Sequence, residues 1–352
     1  MDSPAPSATA PTQSLKGHFV TDCSSAKELW DLLAPREDIL QKTIYRGQAD
    51  AEWKLVPRVL RANKEGKRSF VGTYLCEQIL KVEMQLFSEA HLLMCFVQHC
   101  DRIGLAIPND SIDRRDRTLN KNGMGMDRFQ INPAEWPDND WIDIMALAQH
   151  HGLPTRLLDW SRRSWVAAYF AASDALRDRK IWKPNSRLAV WALESATIEP
   201  LTTWPDGPVP KTHPNADRRT PYRHHKLIPH IRVITVPGAT SNHLAAQAGL
   251  FTVQKETGNP KDPLKERSLE DDLPVTPGLL RKLTLPVTEA SKLLALCELH
   301  DITATTIFRS YDGAARAVLD STQIWSEGPL GTNSPPVTPI IKEYLKNTRS
   351  GS

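Results

Sequence analysis

The sequence contains no run of eighteen uncharged apolar residues, which excludes the hydropathy signature of a membrane-spanning helix. Its five cysteines, Cys23, Cys76, Cys95, Cys100 and Cys297, form no C-x-x-C pair. An odd number at these spacings supports neither a zinc site nor a disulfide framework, and reduced, mostly buried thiols are expected. Glycine-rich phosphate loops, H-E-x-x-H, G-x-S-x-G and EF-hand patterns are all missing, so the common nucleotide-hydrolase, zinc-protease, serine-hydrolase and calcium-sensor readings have no basis. No metal is expected either, because the adjacent pair His150–His151 at a helix end directs its rings apart. Internal repeats are absent. A large excess of one charge is missing too. The net charge of +3 and a pI near 8.5 permit an anionic partner without requiring one.

What is present is a chain of 352 residues with 40% hydrophobic content and a mean hydropathy of −0.41, the profile of one elaborated globular domain with tails. Residues 1–18, rich in Ser, Pro, Ala and Thr without an apolar core, are expected to be a disordered leader and not a secretion signal. Residues 19–325 are expected to form a single domain, with 326–352 a mostly disordered tail. Ten tryptophans and twenty-seven prolines point to long, sculpted loops. Mobile insertions are expected at 104–137, 199–229 and 255–277. The expected location is the cytoplasm, with the nucleus as the alternative.

The central stretch runs Gln149-His150-His151-Gly152-Leu153-Pro154-Thr155-Arg156-Leu157-Leu158-Asp159-Trp160-Ser161. A helix capped at Asn139 or Asp140 should enter it through Trp141, Ile142, Ile144, Met145 and Leu147. Gly152 can accept the left-handed turn that ends this helix, and Pro154 forbids continuation. Thr155 to Asp159 reads as a buried strand or extended link. Ser161 can cap a second helix whose Val166, Ala167, Tyr169, Phe170 and Ala171 form a small-residue face for packing on a sheet. Elsewhere, Ser25-x-x-Glu28 reads as a capping box and Thr43–Gln48 as a short strand. The spacing from Tyr74 to Val97 predicts a long amphipathic helix, in which Glu83 sits among apolar neighbours. Arg187–Leu193, Ile231–Val236, Ala246–Val253 and Leu283–Leu285 read as strands, and Glu289–Leu299 and Asp312–Leu319 as helices. Mixed elements without regular β–α–β alternation favour an α+β fold.

These residues resemble a known family. Tyr45-Arg46-Gly47-Gln48, the central stretch, Val166-Ala167-Ala168-Tyr169-Phe170-Ala171 and Ala246-Gln247-Ala248-Gly249-Leu250-Phe251 are similar, in this order, to the FRG domain, with Tyr45 in place of the family's Phe. A looser resemblance, to ADP-ribosyltransferases of the arginine–serine–glutamate type, implies a split mixed or antiparallel sheet with flanking helices and NAD as substrate. It implies catalytic roles for Arg46, Ser161 and Gln247, and NAD-binding roles for Tyr45, Arg46, Gly47, Gln48, His151, Thr155, Arg156, Ser161 and Tyr169. Gln247 stands where those enzymes carry a carboxylate, and Glu83, Asp159 or Glu194 are the alternatives.

Structural readings stand beside these roles. Arg46 can pair with Glu83 or Asp159, Arg156 with Asp159, and the hydroxyls of Thr155 and Ser161 can serve turns and caps. The basic clusters Arg114–Arg117 and Arg218–Lys226 are solvated loops or a nucleic-acid surface. The expected activity is transfer of ADP-ribose to a macromolecule, nucleic acid or nucleotide before protein. The alternatives are a silent nucleotide- or partner-binding module and an NAD glycohydrolase.

Overall fold

The computed structural model describes residues 12–13, 18–35, 43–61, 81–118, 129, 131–177, 182–183, 185–198, 200–201, 230–235, 246–263, 265–274 and 276–326. Among them one mixed sheet runs in the order β1-β2-β9-β5-β3-β4-β8-β7-β6. Its strands are β1 (Thr12–Gln13), β2 (Phe19–Asp22), β3 (Thr43–Gln48), β4 (Leu157–Ser161), β5 (Arg187–Glu194), β6 (Pro200–Leu201), β7 (Ile231–Ile234), β8 (Gly249–Gln254) and β9 (Leu280–Pro286). Seven strands have four residues or more, and a two-residue strand closes each edge. Pairing is antiparallel except at β2–β9 and β6–β7. The α+β expectation therefore holds. Helices among the described residues are α1 (Ala26–Leu32), α2 (Val82–Arg102), α3 (Ile112–Thr118), α4 (Asn139–His150), α5 (Ser164–Arg177), α6 (Leu269–Asp272), α7 (Ala290–Leu299), α8 (Ala304–Phe308) and α9 (Tyr311–Ser326). None is long and apolar enough to cross a membrane. Cys23, Cys95, Cys100 and Cys297 are free, and all but Cys95 are buried.

Strand alternation assigns the core. Tyr45, Val190, Leu188, Leu283 and Leu285 face α1, α5 and α7, whereas Ile44, Ala189, Trp191 and Leu193 face the other side with Leu158 and Trp160. Helices α2 and α4 cover Leu157, Phe251 and Val253. One contact explains the glycine of the Tyr-Arg-Gly motif. A Cβ on Gly47 would lie 2.0 Å from the Ala167 carbonyl oxygen and 2.6 Å from the Ala171 nitrogen, so α5 rests directly on the β3 backbone. The run Val166, Ala167, Ala168, Ala171 and Ala172 is buried because only short side chains permit that approach.

Several local expectations change. The cap of α4 is Asp138, whose side chain accepts the Asp140 N–H at 3.0 Å, so it lies before both expected caps, Asn139 and Asp140. Ser25 accepts the Glu28 N–H at 3.3 Å, and the Glu28 carboxylate bonds chiefly the Ser24 N–H, at 2.8 Å. The insertion at 104–137 contains α3, and the one at 255–277 contains α6, with Glu256, Ser268, Leu269, Glu270 and Leu273 buried. Glu270 accepts the Leu55 N–H at 3.0 Å, which ties the second of these segments to the loop after β3. Charge in the sequence concealed an interior role. The part of 199–229 beyond β6, the cluster Arg218–Lys226 and the start of the helix expected from Tyr74 lie outside the described residues.

Candidate functional site

Strands β3 and β4 are registered at one pair only, Tyr45↔Ser161. No second pair joins them, which leaves an opening in the ladder, although each strand remains fully paired on its other side, β3 with β5 and β4 with β8. The Arg46 side chain reaches across to β4 beside this single pair. Its Nη1 donates to the Asp159 carbonyl at 2.6 Å, and the Asp159 carboxylate lies 3.5 Å away. Its buried Nε–H has no acceptor among the described residues. An unmet buried donor costs about 1–3 kcal/mol, so it calls for an explanation. Of the two partners offered by the sequence, Asp159 is the one found; Glu83 is not.

A hydrogen-bonded chain extends the site from Asp159. Gln149 Nε2 donates to Asp159 Oδ1 at 2.6 Å, and the Thr155 hydroxyl donates to Gln149 Oε1. Thr155 Oγ1 also accepts the Leu157 N–H at 3.2 Å, which fixes the extended link between α4 and β4. Gly152, at φ 89°, makes the left-handed turn that starts this link. His151 is exposed beside it, its ring 5.1 Å from that of His150. Arg46, Gln149, Thr155 and Asp159 are thus joined in one chain of contacts, and among the described residues His151 is linked to them only through its place in the turn.

The other expected site residues serve different ends. Tyr45 packs with the α5 cluster, and Gln48 is buried, accepting from Trp191 Nε1 at 2.6 Å and donating to the Lys54 carbonyl at 3.3 Å. Within the Tyr-Arg-Gly-Gln motif, only the arginine faces the opening. Ser161 is buried, and its hydroxyl donates to the Gln247 carbonyl at 2.7 Å while accepting the Arg163 N–H at 2.9 Å. Ser161 and Gln247 are therefore neighbours through the Gln247 backbone, and the Gln247 side chain is half-buried.

Arg156 is 1% exposed and forms an ion-pair centre. It bonds Glu89 at 2.7 Å and Glu256 at 3.3 Å, and Glu89 also accepts from Trp136 Nε1 and Gln85 Nε2. The pairing with Asp159 expected from their spacing does not form, because strand alternation turns Asp159 outward. Glu89 and Glu256 were missed in the sequence. Glu89 had a signal, since it lies three residues after Leu86 and four before Leu93 on the buried stripe of α2. Burial pushes the Glu256 carboxyl up, but Arg156, the Gly258 and Thr257 N–H groups and Arg267 outweigh it and hold it below the ordinary range.

Tyr169 is buried against α9, where its hydroxyl donates to Asp320 Oδ2 at 2.5 Å. Burial and that carboxylate push the phenol well above its ordinary range. Tyr169 therefore joins α5 to α9 and is not presented as a ring-stacking group. Tyr169→Phe is expected to lower stability by about 1 kcal/mol, because Ser173 still bonds Asp320. Denaturation curves of the native chain and the variant check it. The Arg114–Arg117 cluster is also committed internally: Arg114 donates to the Asp140 carbonyl at 2.9 Å, Arg115 pairs with Asp110 and Asp101, and Arg117 pairs with Asp140.

Residues 109–180 match the family model of the FRG domain. The chain carries an FRG domain. The match spans α3, α4, the link, β4 and α5, so the FRG segment supplies Gln149, Thr155 and Asp159, while Arg46 and Gln247 lie outside the matched residues. No curated protein and no solved structure matches the chain.

Proposed function

We propose that the opening between β3 and β4 binds NAD and that the domain is an ADP-ribosyltransferase built on a sheet that splits at this point. The observation that carries the reading is Arg46, whose guanidinium stands where β3 and β4 share a single register pair, with the Asp159 carboxylate 3.5 Å away. An arginine fork suits the pyrophosphate. Breaking the nicotinamide–ribose bond sends its electron pair out with nicotinamide and leaves an oxocarbenium-like ribose, which a nearby carboxylate stabilises. Gln247 carries no charge, so Asp159 takes that part here. The acceptor's nucleophilic atom then bonds the ribose carbon and gives its proton to Asp159. Glu83 lies on α2, and Glu194 is registered with Thr43 at the far end of β3 from Arg46, so neither alternative carboxylate stands at the opening.

Nucleic acid or a nucleotide is the acceptor class we favour on the net charge of +3. The α3 arginines lend this no support, being paired with acids. A second reading, a silent nucleotide-binding module, is favoured by the Ser161 hydroxyl, already committed to the Gln247 carbonyl.

The test is incubation with labelled NAD, alone and with RNA, DNA or protein. Label transfer by the native chain, abolished in Arg46→Ala of unchanged thermal midpoint, is expected. Free nicotinamide without transfer would indicate a glycohydrolase, and no product at all would leave the binding module.

A further inference from the structure

Two more arginines, Arg58 and Arg61, both exposed, flank a turn docked on the link that carries Thr155. Pro57 leads into a single 3-10 turn, Arg58–Leu60, whose Val59 and Leu60 are buried. The turn is docked on the link after α4: the Val59 N–H donates to the Thr155 carbonyl at 3.3 Å, and Arg58 Nη1 donates to the Gly152 carbonyl at 3.0 Å. Arg61 Nε donates to the Val56 carbonyl at 3.0 Å. Arg46, Arg58 and Arg61 are thus each oriented by a neutral backbone carbonyl, which aims a guanidinium without cancelling its charge. Among the described residues, Asp159 is the carboxylate within ion-pair distance of this group, on Arg46. Crowding by protein, then the charges of Arg46 and Arg58, hold Arg61 below the ordinary arginine range, against the opposing effects of Asp159 and Glu266. Like charges gathered this way repel unless an anion sits among them.

We propose that Arg58 and Arg61 join Arg46 in a three-guanidinium receptor for the diphosphate of a nucleotide. This rests on the reading that the opening takes a nucleotide, and it adds which chemical group is held and by what. Three positive charges less the one on Asp159 leave two, the charge of a dinucleotide's pyrophosphate. Planar forks are suited to bidentate contact with phosphate oxygens. A nucleic-acid track would need a basic stripe extending from the opening, whereas the arginines of α3 are consumed by Asp101, Asp110 and Asp140.

The experiment is calorimetric titration of the full chain with ADP, AMP and adenosine, and with a ten-residue oligothymidylate. ADP is expected to bind at least about tenfold more tightly than AMP, and Arg58→Gln and Arg61→Gln each to weaken ADP about tenfold. Arg58→Lys and Arg61→Lys, which keep the charge and lose the fork, should fall between. Equal affinities for ADP and AMP would overturn the proposal. So would ADP binding unchanged in both glutamine variants, or an oligonucleotide that competes with ADP and binds more tightly than it. If a glutamine variant fails to fold, the native ADP-to-AMP ratio and the lysine variants decide. Dependence of ADP binding on Arg58 and Arg61 without any turnover of NAD would keep the receptor and reject the transferase. NAD turnover indifferent to both arginines would do the reverse.

Discussion

Arg156→Ala is expected to destabilise the protein by about 3–5 kcal/mol, because it strands the buried carboxylates of Glu89 and Glu256. In a domain of this size that corresponds to a fall in thermal midpoint on the order of 10 °C. The loss follows from position. Arg156 ends the link that leaves α4 and begins the approach to β4, and it reaches α2 through Glu89 and the segment after β8 through Glu256. Arg267 then pairs with Glu256 and Asp272, and Gln254 Nε2 bonds Asp272 at 2.7 Å, so the network also fastens α6. Arg156→Lys keeps the charge but loses the fork, and should cost less than alanine. Had Arg156 been a ligand contact, its removal would reduce binding and spare stability.

Acid should expose the same network. The Glu256 carboxyl is held below its ordinary value of about 4.5. Its contribution is complete above that value and is lost as pH falls through the lower folded-state value. Unfolding free energy measured in this acidic window should fall more steeply for the native chain than for Arg156→Ala, in which Glu256 has lost its principal cation.

Gly47→Ala is the second large effect, about 3 kcal/mol, and its cause is contact, not conformation. The added Cβ would meet two backbone atoms of α5 at 2.0 and 2.6 Å, and neither can rotate away. Relief requires α5 to lift from β3, which would displace Arg46 beside it and carry Ser161 away from Tyr45. Nucleotide binding should therefore fall along with stability. Gly152→Ala is the contrasting case. At φ 89° with nothing within 4 Å of its added Cβ, it should cost only about 1 kcal/mol of backbone strain. Denaturation curves for the two variants, set beside their ADP titrations, separate these causes.

How much of this was legible in the sequence depended on whether the cause was local. The bounds of β3 followed from β-prone residues ending at a motif, and α4, its glycine stop and α5 followed from apolar spacing and turn chemistry. The small-residue face of α5 was readable as well, though not that Gly47 is the surface it meets. What escaped was long-range. Arg156 found Glu89, 67 residues earlier, and Glu256, 100 residues later, in preference to the neighbouring Asp159. Pairing across such separations leaves no periodic trace. The segment at 255–277 looked like solvated loop because its charges were legible and their partners were not.

The site divides along the same line. Arg46 and Thr155 join Asp159 and Gln149 in one chain of contacts, whereas Tyr45 and Gly47 pack against α5 and Gln48 bonds Trp191. Tyr169 belongs to the contact with α9, and Arg156 to the interior. Arg58 and Arg61 went unnoticed because a basic turn after Pro57 reads as surface until Val59 is seen bonded to Thr155. The basic run around Arg115 reads as unpaired charge until its acids are seen to come from α2, α4 and the turn between α2 and α3.

The most direct measurement is calorimetric titration of NAD into the full native chain and into Arg46→Ala, with unfolding curves recorded on the same samples. A guanidinium that receives the dinucleotide in the β3–β4 opening predicts saturable one-site binding by the native chain, weakened at least about tenfold in the variant while its midpoint holds. Equal NAD affinity in two equally stable proteins, or no saturable binding to the native chain, would contradict it.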